Sequence, residues 1–319
     1  MNFNEFQERV LEYLSERGHK VELRNVHRNN GIRNTGLSVM NLIHSSSGIK
    51  LHPKIYLEYF YNEYLEDEHS AICMERILKD ILILVHAATL ESSFSQIFCT
   101  PEEDVHKLET EKRRIGCKLI NTKRNLDMLE QIPHIPYLDL SIVFYLKPDN
   151  EYSLLEEELI TKEQADKWNV GVDELLQMAK ANQQKVQLTE INGQTDLKQF
   201  TQSAASQCLK TVSIDMDTTM EPIGENKFMY ISNEGYGATE LIFTETWDAI
   251  STVQQANLAI LPISIKEVIV TVDIEKRDYG ALKNLLDRIS STDIPDEFFL
   301  SENIYRYRRD TGKIEMIHI

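Results

Sequence analysis

The stretch from residue 21 to residue 43 constrains the fold more than any other. Residues 21–26 and 36–43 are extended-chain runs on either side of Asn29-Asn30-Gly31. An Asn-Gly pair between such runs is the strongest short-range signal for a β-hairpin. The same pattern recurs late in the chain. Residues 227–231 and 238–243 flank the loop Asn233-Glu-Gly-Tyr-Gly237, residues 258–261 and 267–272 flank Pro262, and residues 305–317 fold back around Asp310-Thr-Gly312. Further strands are expected at 115–120 and at 137–146, the latter ended by Pro148, with an extended piece at 53–57 running into Tyr59-Phe60-Tyr61 and Tyr64.

Helical spacing fills the intervals. Phe6, Val10, Tyr13 and Leu14 make one stripe over residues 4–17, with Gly18 where a C-terminal cap belongs. Helices are likewise expected over 71–92, 124–130, 163–168, 172–185, 245–255 and 281–289. Hairpins with helices between them predict an α+β chain, two or more modules of antiparallel sheet with covering helices, rather than a doubly wound parallel sheet. Residues 186–224 are rich in Gln, Thr and Ser without a sustained period. The expected organisation is an N-terminal region over 1–187 (with 1–100 and 101–187 as submodules), a polar linker over 188–224, and a C-terminal module over 225–319.

Charge limits the partners. The 319 residues carry 34 basic and 51 acidic side chains, a net charge of −17, which repels phosphate backbones and anionic bilayers. The basic groups Lys112-Arg113-Arg114, Lys118, Lys123 and Arg124, and the trio Arg306, Arg308 and Arg309, lack interleaved aromatics and read as solvated faces. No apolar run reaches the roughly 18–20 residues that span a membrane, since Lys79, Asp80 and His86 interrupt residues 77–90. The opening residues are polar and acidic, unlike a signal peptide. Cys73, Cys99, Cys117 and Cys208 form no Cys-x-x-Cys pair, a pattern of reduced thiols in a cytoplasmic protein.

Chemistry-bearing motifs are few. Asp215-Met-Asp217-Thr-Thr219 resembles the nucleophile loop of haloacid-dehalogenase-type phosphatases, in which two carboxylates one residue apart serve as nucleophile and acid/base beside Mg²⁺. No parallel βαβ context surrounds it, so a solvated linker turn is the expectation and a Mg-dependent phosphate-ester hydrolase the alternative. None of the nine histidines pairs with another at helical zinc-site spacing. No Gly-x-Ser-x-Gly elbow occurs, and Gly235-Tyr-Gly237 reads as a turn rather than a nucleotide cradle. Trp168 and Trp247 read as core anchors. No cofactor and no metal are expected.

Four stretches together resemble an uncharacterised bacterial family common in gut Firmicutes, domain of unknown function 5688. They are Asn30-Gly31 with Thr35-Gly36-Leu37-Ser38 and Ile55-Tyr56-Leu57-Glu58; Lys118-Leu119-Ile120-Asn121 with Asn125, Leu129, His134 and Leu138-Asp139-Leu140; Trp168-Asn-Val170 with Glu174-Leu175; and Tyr236-Gly237-Ala238 through Ile260-Leu261-Pro262-Ile263-Ser264. Family members tend to carry Ser-x-His-Glu after the Leu-Pro element. The corresponding residues here are Ser264-Ile-Lys266-Glu267, so the resemblance implies that an activity resting on that histidine is missing. It implies a fold and a bacterial cytosol, and no reaction.

The leading expectation is a non-enzymatic cytoplasmic module that binds a protein or a small molecule, with Tyr59, Tyr61 and Tyr64 as the ring-bearing candidates. Besides the hydrolase, nucleic-acid association on behalf of a mobile element is a further alternative.

Overall fold

The computed structural model describes residues 1–39, 55–67, 70–98, 108–147, 157–183, 187–191, 211–213, 228–232, 236–292 and 294–318. The architecture is α+β with antiparallel sheets throughout. Two compact units share the chain: one holds Met1–Ile115 and Tyr145–Val170, the other Gly116–Phe144 and Gly171–Ile319.

In the first unit, helix α1 (Phe3–Ser15) starts at a capping box between Asn2 and Glu5. It stops at Gly18, whose φ of 83° suits a residue without Cβ. Strands β1 (Val21–His27) and β2 (Arg33–Val39) pair antiparallel with Val26 opposite Asn34. Asn30 (φ 61°) and Gly31 (φ 72°) make the turn, as the Asn-Gly signal requires. Of the expected extended piece at 53–57, residues 53 and 54 lie outside the described residues, the Ile55 carbonyl accepts the Leu37 amide at 2.9 Å, Tyr56 bridges to Gly36, and helix α2 (Leu57–Glu66) begins at Leu57. Leu57, Phe60 and Tyr64 lie at i, i+3 and i+7, which puts all three on its buried face. Helix α3 (Ala71–Phe98) supplies Ile77, Ile81 and Val85 to the same core, against Phe6, Val10 and Leu14 of α1. Each such burial contributes roughly 1.5–3 kcal/mol. The short helix α4 (Leu108–Glu111) holds a buried Glu111–Arg114 ion pair at 2.8 Å.

The second unit begins inside β3 (Ile115–Asn121). After a helical turn containing α5 (Leu126–Leu129), the expected single strand over 137–146 resolves into two, β4 (His134–Tyr137) and β5 (Leu140–Leu146). They join at Leu138 and Asp139, with Leu138 at φ 56°. No glycine marks this turn, which is why the run reads as continuous. At its far end, in the first unit, Tyr145 and Leu146 of β5 pair with β6 (Glu158–Leu159). Helix α6 (Lys162–Trp168) also lies in the first unit, and α7 (Val172–Ala181) opens the rest of the second.

Among the described residues, the main sheet has seven strands in the order β13-β12-β10-β11-β9-β7-β8. The stretch expected as linker supplies two of them, β7 (Gln187–Ile191) and β8 (Thr211–Ser213), with β7 also paired to β9 (Phe228–Ser232). Their polar composition fits a position toward one side of the sheet and hides them from a search for apolar alternation. The expected strand at 238–243 is instead a 3-10 turn over Gly237–Leu241, leading into α8 (Thr244–Gln254). Strands β10 (Asn257–Ser264) and β11 (Glu267–Asp273) are nearly wholly buried, an apolar run rather than an alternation. Ala259, Leu261 and Ile263 face α9 (Tyr279–Thr292) through Leu282, Leu285, Leu286 and Ile289. The chain closes with the hairpin β12 (Ile304–Arg308) and β13 (Lys313–Ile317), turned at Gly312 with φ 64°.

Candidate functional site

Pro262 has no N–H to give the β10 ladder, and the register slips between Pro262 and Ser264. The turn that follows is tied by its own side chains. Ser264 Oγ accepts the Lys266 amide at 3.1 Å and lies 3.4 Å from Glu267 Oε2. Glu267 also pairs with Tyr230 of β9, and burial together with that carboxylate pushes the Tyr230 phenol far above its usual range. The 3-10 turn sits on this rim because the Gly237 amide donates to the Lys266 carbonyl at 2.8 Å. Ala238 is fully buried beneath it.

Three cation–aromatic pairs gather along this stretch of the second unit. Lys118, only 9% exposed on β3, reaches the Tyr236 hydroxyl at 3.1 Å, and its ammonium lies 4.7 Å from the ring centre. Lys266 lies 4.2 Å over Phe298, and Arg124 lies 3.8 Å over Phe299. Hydrogen bonds stitch them together: the Ile265 amide donates to the Phe298 carbonyl at 2.9 Å, and the Asn121 side-chain Nδ2 donates to the Leu300 carbonyl at 2.9 Å. Each pair contributes about 0.5–2 kcal/mol and holds its cation in place.

Two polar clusters lie in the same unit. The Asp139 carboxylate accepts from Ser301 Oγ at 2.7 Å, Asn303 Nδ2 at 3.0 Å and Tyr305 OH at 2.6 Å, which fixes the β4–β5 turn to the segment entering β12. Asn121 completes the lock by accepting the Arg124 amide at 2.9 Å. Glu240 is 1% exposed, and burial raises its carboxyl to about 7. Its oxygens accept from Gln183 and, at 2.7 Å, from Thr246 Oγ1, while its carbonyl accepts from Trp247 Nε1. A pKa near neutrality is what a general acid/base needs, but both oxygens are occupied and closed from solvent, so this carboxyl serves as an internal tie.

The structure thus brings Asn121 and Asp139 into one lock, and Tyr236, Ala238, Pro262, Ser264 and Glu267 into the rim beside Lys118. Asn30, Gly31 and Gly36 belong to the first unit's hairpin, where a Cβ at Gly36 would come to 3.0 Å from Val26. Trp168, also in that unit, is buried at the end of α6 with its Nε1 unpaired. Tyr59, Tyr61 and Tyr64 share α2 but not one environment. Tyr64 is 5% exposed in the core and Tyr59 is 70% exposed, while Tyr61 packs 5.0 Å from Phe3 and donates to the Met1 carbonyl at 3.1 Å. Asp215, Asp217 and Thr219 lie outside the described residues. In the late basic trio, Arg306 meets Asp273 at 2.7 Å and Arg308 meets Asp310 at 2.8 Å.

The Lys118–Tyr236 pair escaped the sequence reading because its members are far apart in the chain. Glu240 left a trace, a lone carboxylate inside the apolar run 238–243. Among the described residues, no group of three or more His, Cys, Asp or Glu side chains is placed to hold a metal ion, and no helix is long and apolar enough to cross a membrane.

Comparisons with curated proteins and with solved structures return no match. A family described as a family of unknown function (DUF5688) matches residues 2–309, nearly the whole chain. The motifs quoted for that family account for the lock and most of the rim just described, and the chain belongs to it.

Proposed function

We propose that this chain is a non-catalytic, cytoplasmic ligand-binding module whose second unit takes a small anionic molecule at the rim formed by Tyr236, Lys266 and Phe298. The observation that carries this reading is the set of three cation–aromatic pairs on a chain of net charge −17. Positive groups pre-positioned on rings offer an anion a seat without first having to be ordered. The exposed Lys266 ammonium and the Tyr236 hydroxyl are the first contacts, with Lys118 behind them. Lysine at 266 is compatible with binding and does not replace a histidine acid/base. Cys73 and Cys117 are buried and unbridged among the described residues, which agrees with a reducing compartment.

The test is a thermal-shift and calorimetric screen of inorganic phosphate, citrate and nucleoside phosphates against the full chain. A supporting result is a raised melting temperature that fades with salt and is lost in Lys266→Met and Tyr236→Phe. Binding that survives both substitutions, or no binding across the panel, would sink the proposal.

A further inference from the structure

His19 and His86 lie 67 residues apart in sequence, yet their Nε2 atoms approach to 3.0 Å. Both side chains stand on fixed backbone in the first unit. His19 follows the left-handed Gly18, and its amide donates to the Leu14 carbonyl at 3.1 Å. His86 follows Val85 on α3, whose side chain is fully buried in the core that also takes Leu14 of α1. The ring centres are 4.8 Å apart and the planes tilted by 55°. A head-on N–H···N bond of this length would hold the centres about 5.3 Å apart, so the two rings do not meet end to end. Two imidazole nitrogens that each bind one ion at about 2.0–2.1 Å, at angles from square to tetrahedral, stand about 2.9–3.4 Å apart.

We propose that His19 and His86 form a two-ligand site for a divalent late transition-metal ion of the zinc, nickel and copper class. His86 is exposed and His19 partly so, which leaves the remaining coordination positions to water. The bound ion clamps the end of α1 to α3 and favours the folded chain by an amount that grows with the logarithm of free metal above the dissociation constant.

The experiment uses the full-length chain without any affinity tag. Zinc chloride and nickel chloride are titrated by calorimetry, and melting curves are recorded with and without micromolar metal. His19→Gln and His86→Gln are compared with wild type, with His134→Gln as the control remote in sequence. Expected are one ion bound per chain, a metal-dependent rise in melting temperature, and a loss of at least about tenfold in affinity in each of the two variants, with His134→Gln unchanged. Equal binding in wild type and either site variant, or no binding by wild type, overturns the site. Circular dichroism spectra matching wild type in the metal-free variants guard against loss of folding, and a misfolded variant is replaced by His86→Ala under the same criteria.

Discussion

Glu240 shows how a single buried carboxyl couples the fold to pH. Its folded-state value of about 7 lies above the ordinary 4.5 because burial outweighs the hydrogen bonds from Thr246 and Gln183. Below the ordinary value, folded and unfolded chains both carry the proton and no penalty arises. As pH rises toward the folded value, the unfolded chain sheds its proton first, so stability falls, by roughly 3 kcal/mol once the titration is complete. Glu240→Gln is therefore expected to raise the melting temperature at pH 8 and to match wild type near pH 4. A wild-type-to-variant difference that stays constant across that range would show that the carboxyl titrates alike in the folded and unfolded chains. Asp139 is held by three donors, two of them on the fully buried Ser301 and Tyr305. Asp139→Ala strands those donors and is expected to lower unfolding free energy by about 2–4 kcal/mol, against about 1 kcal/mol for Tyr305→Phe. Urea denaturation of both variants measures the ratio.

At the scale of elements, the β4–β5 turn places a non-glycine residue, Leu138, at φ 56°. A β-branched side chain tolerates that region least. Leu138→Val is expected to cost about 1 kcal/mol or more, while Leu138→Gly stays within about 0.5 kcal/mol because relief of strain offsets the added chain entropy. Chemical denaturation decides between this and a turn that simply relaxes. The same turn illustrates what local sequence conveys. Where a rule of local geometry holds, as with Asn30-Gly31, the stripe from Phe6 to Leu14, or the runs either side of Pro262, the element is legible from the residues alone. Where tertiary contacts override it, the reading slips. Leu138 hides a turn, α2 reads as extended because aromatics and Leu57 are also good strand formers, and the run at 238–243 coils because Glu240 and Trp247 tie it to α8. The rim is legible only in part. Ser264 and Glu267 are neighbours in the chain, but nothing short of the fold brings Lys118 to Tyr236.

For the molecule as a whole, a chain of net charge −17 still sets Lys118, Lys266 and Arg124 against rings of its second unit, an arrangement that its total charge conceals. The division of the chain carries a further consequence. Because Gly116–Phe144 belongs with Gly171–Ile319, and Tyr145–Val170 with Met1–Ile115, no single cut separates the two units. A ribosome has to deliver residue 170 before the first is complete and the C-terminus before the second is. A fragment ending at residue 187 retains Asn121, Tyr137 and Asp139 but loses Leu300, Leu241, Ser301 and Tyr305, which hold them. Such a fragment is expected to aggregate or melt without a cooperative transition, and a soluble, cooperatively melting 1–187 would refute this. Dividing such a protein therefore means sparing residues 115–171, where the chain leaves one unit for the other, returns and leaves again.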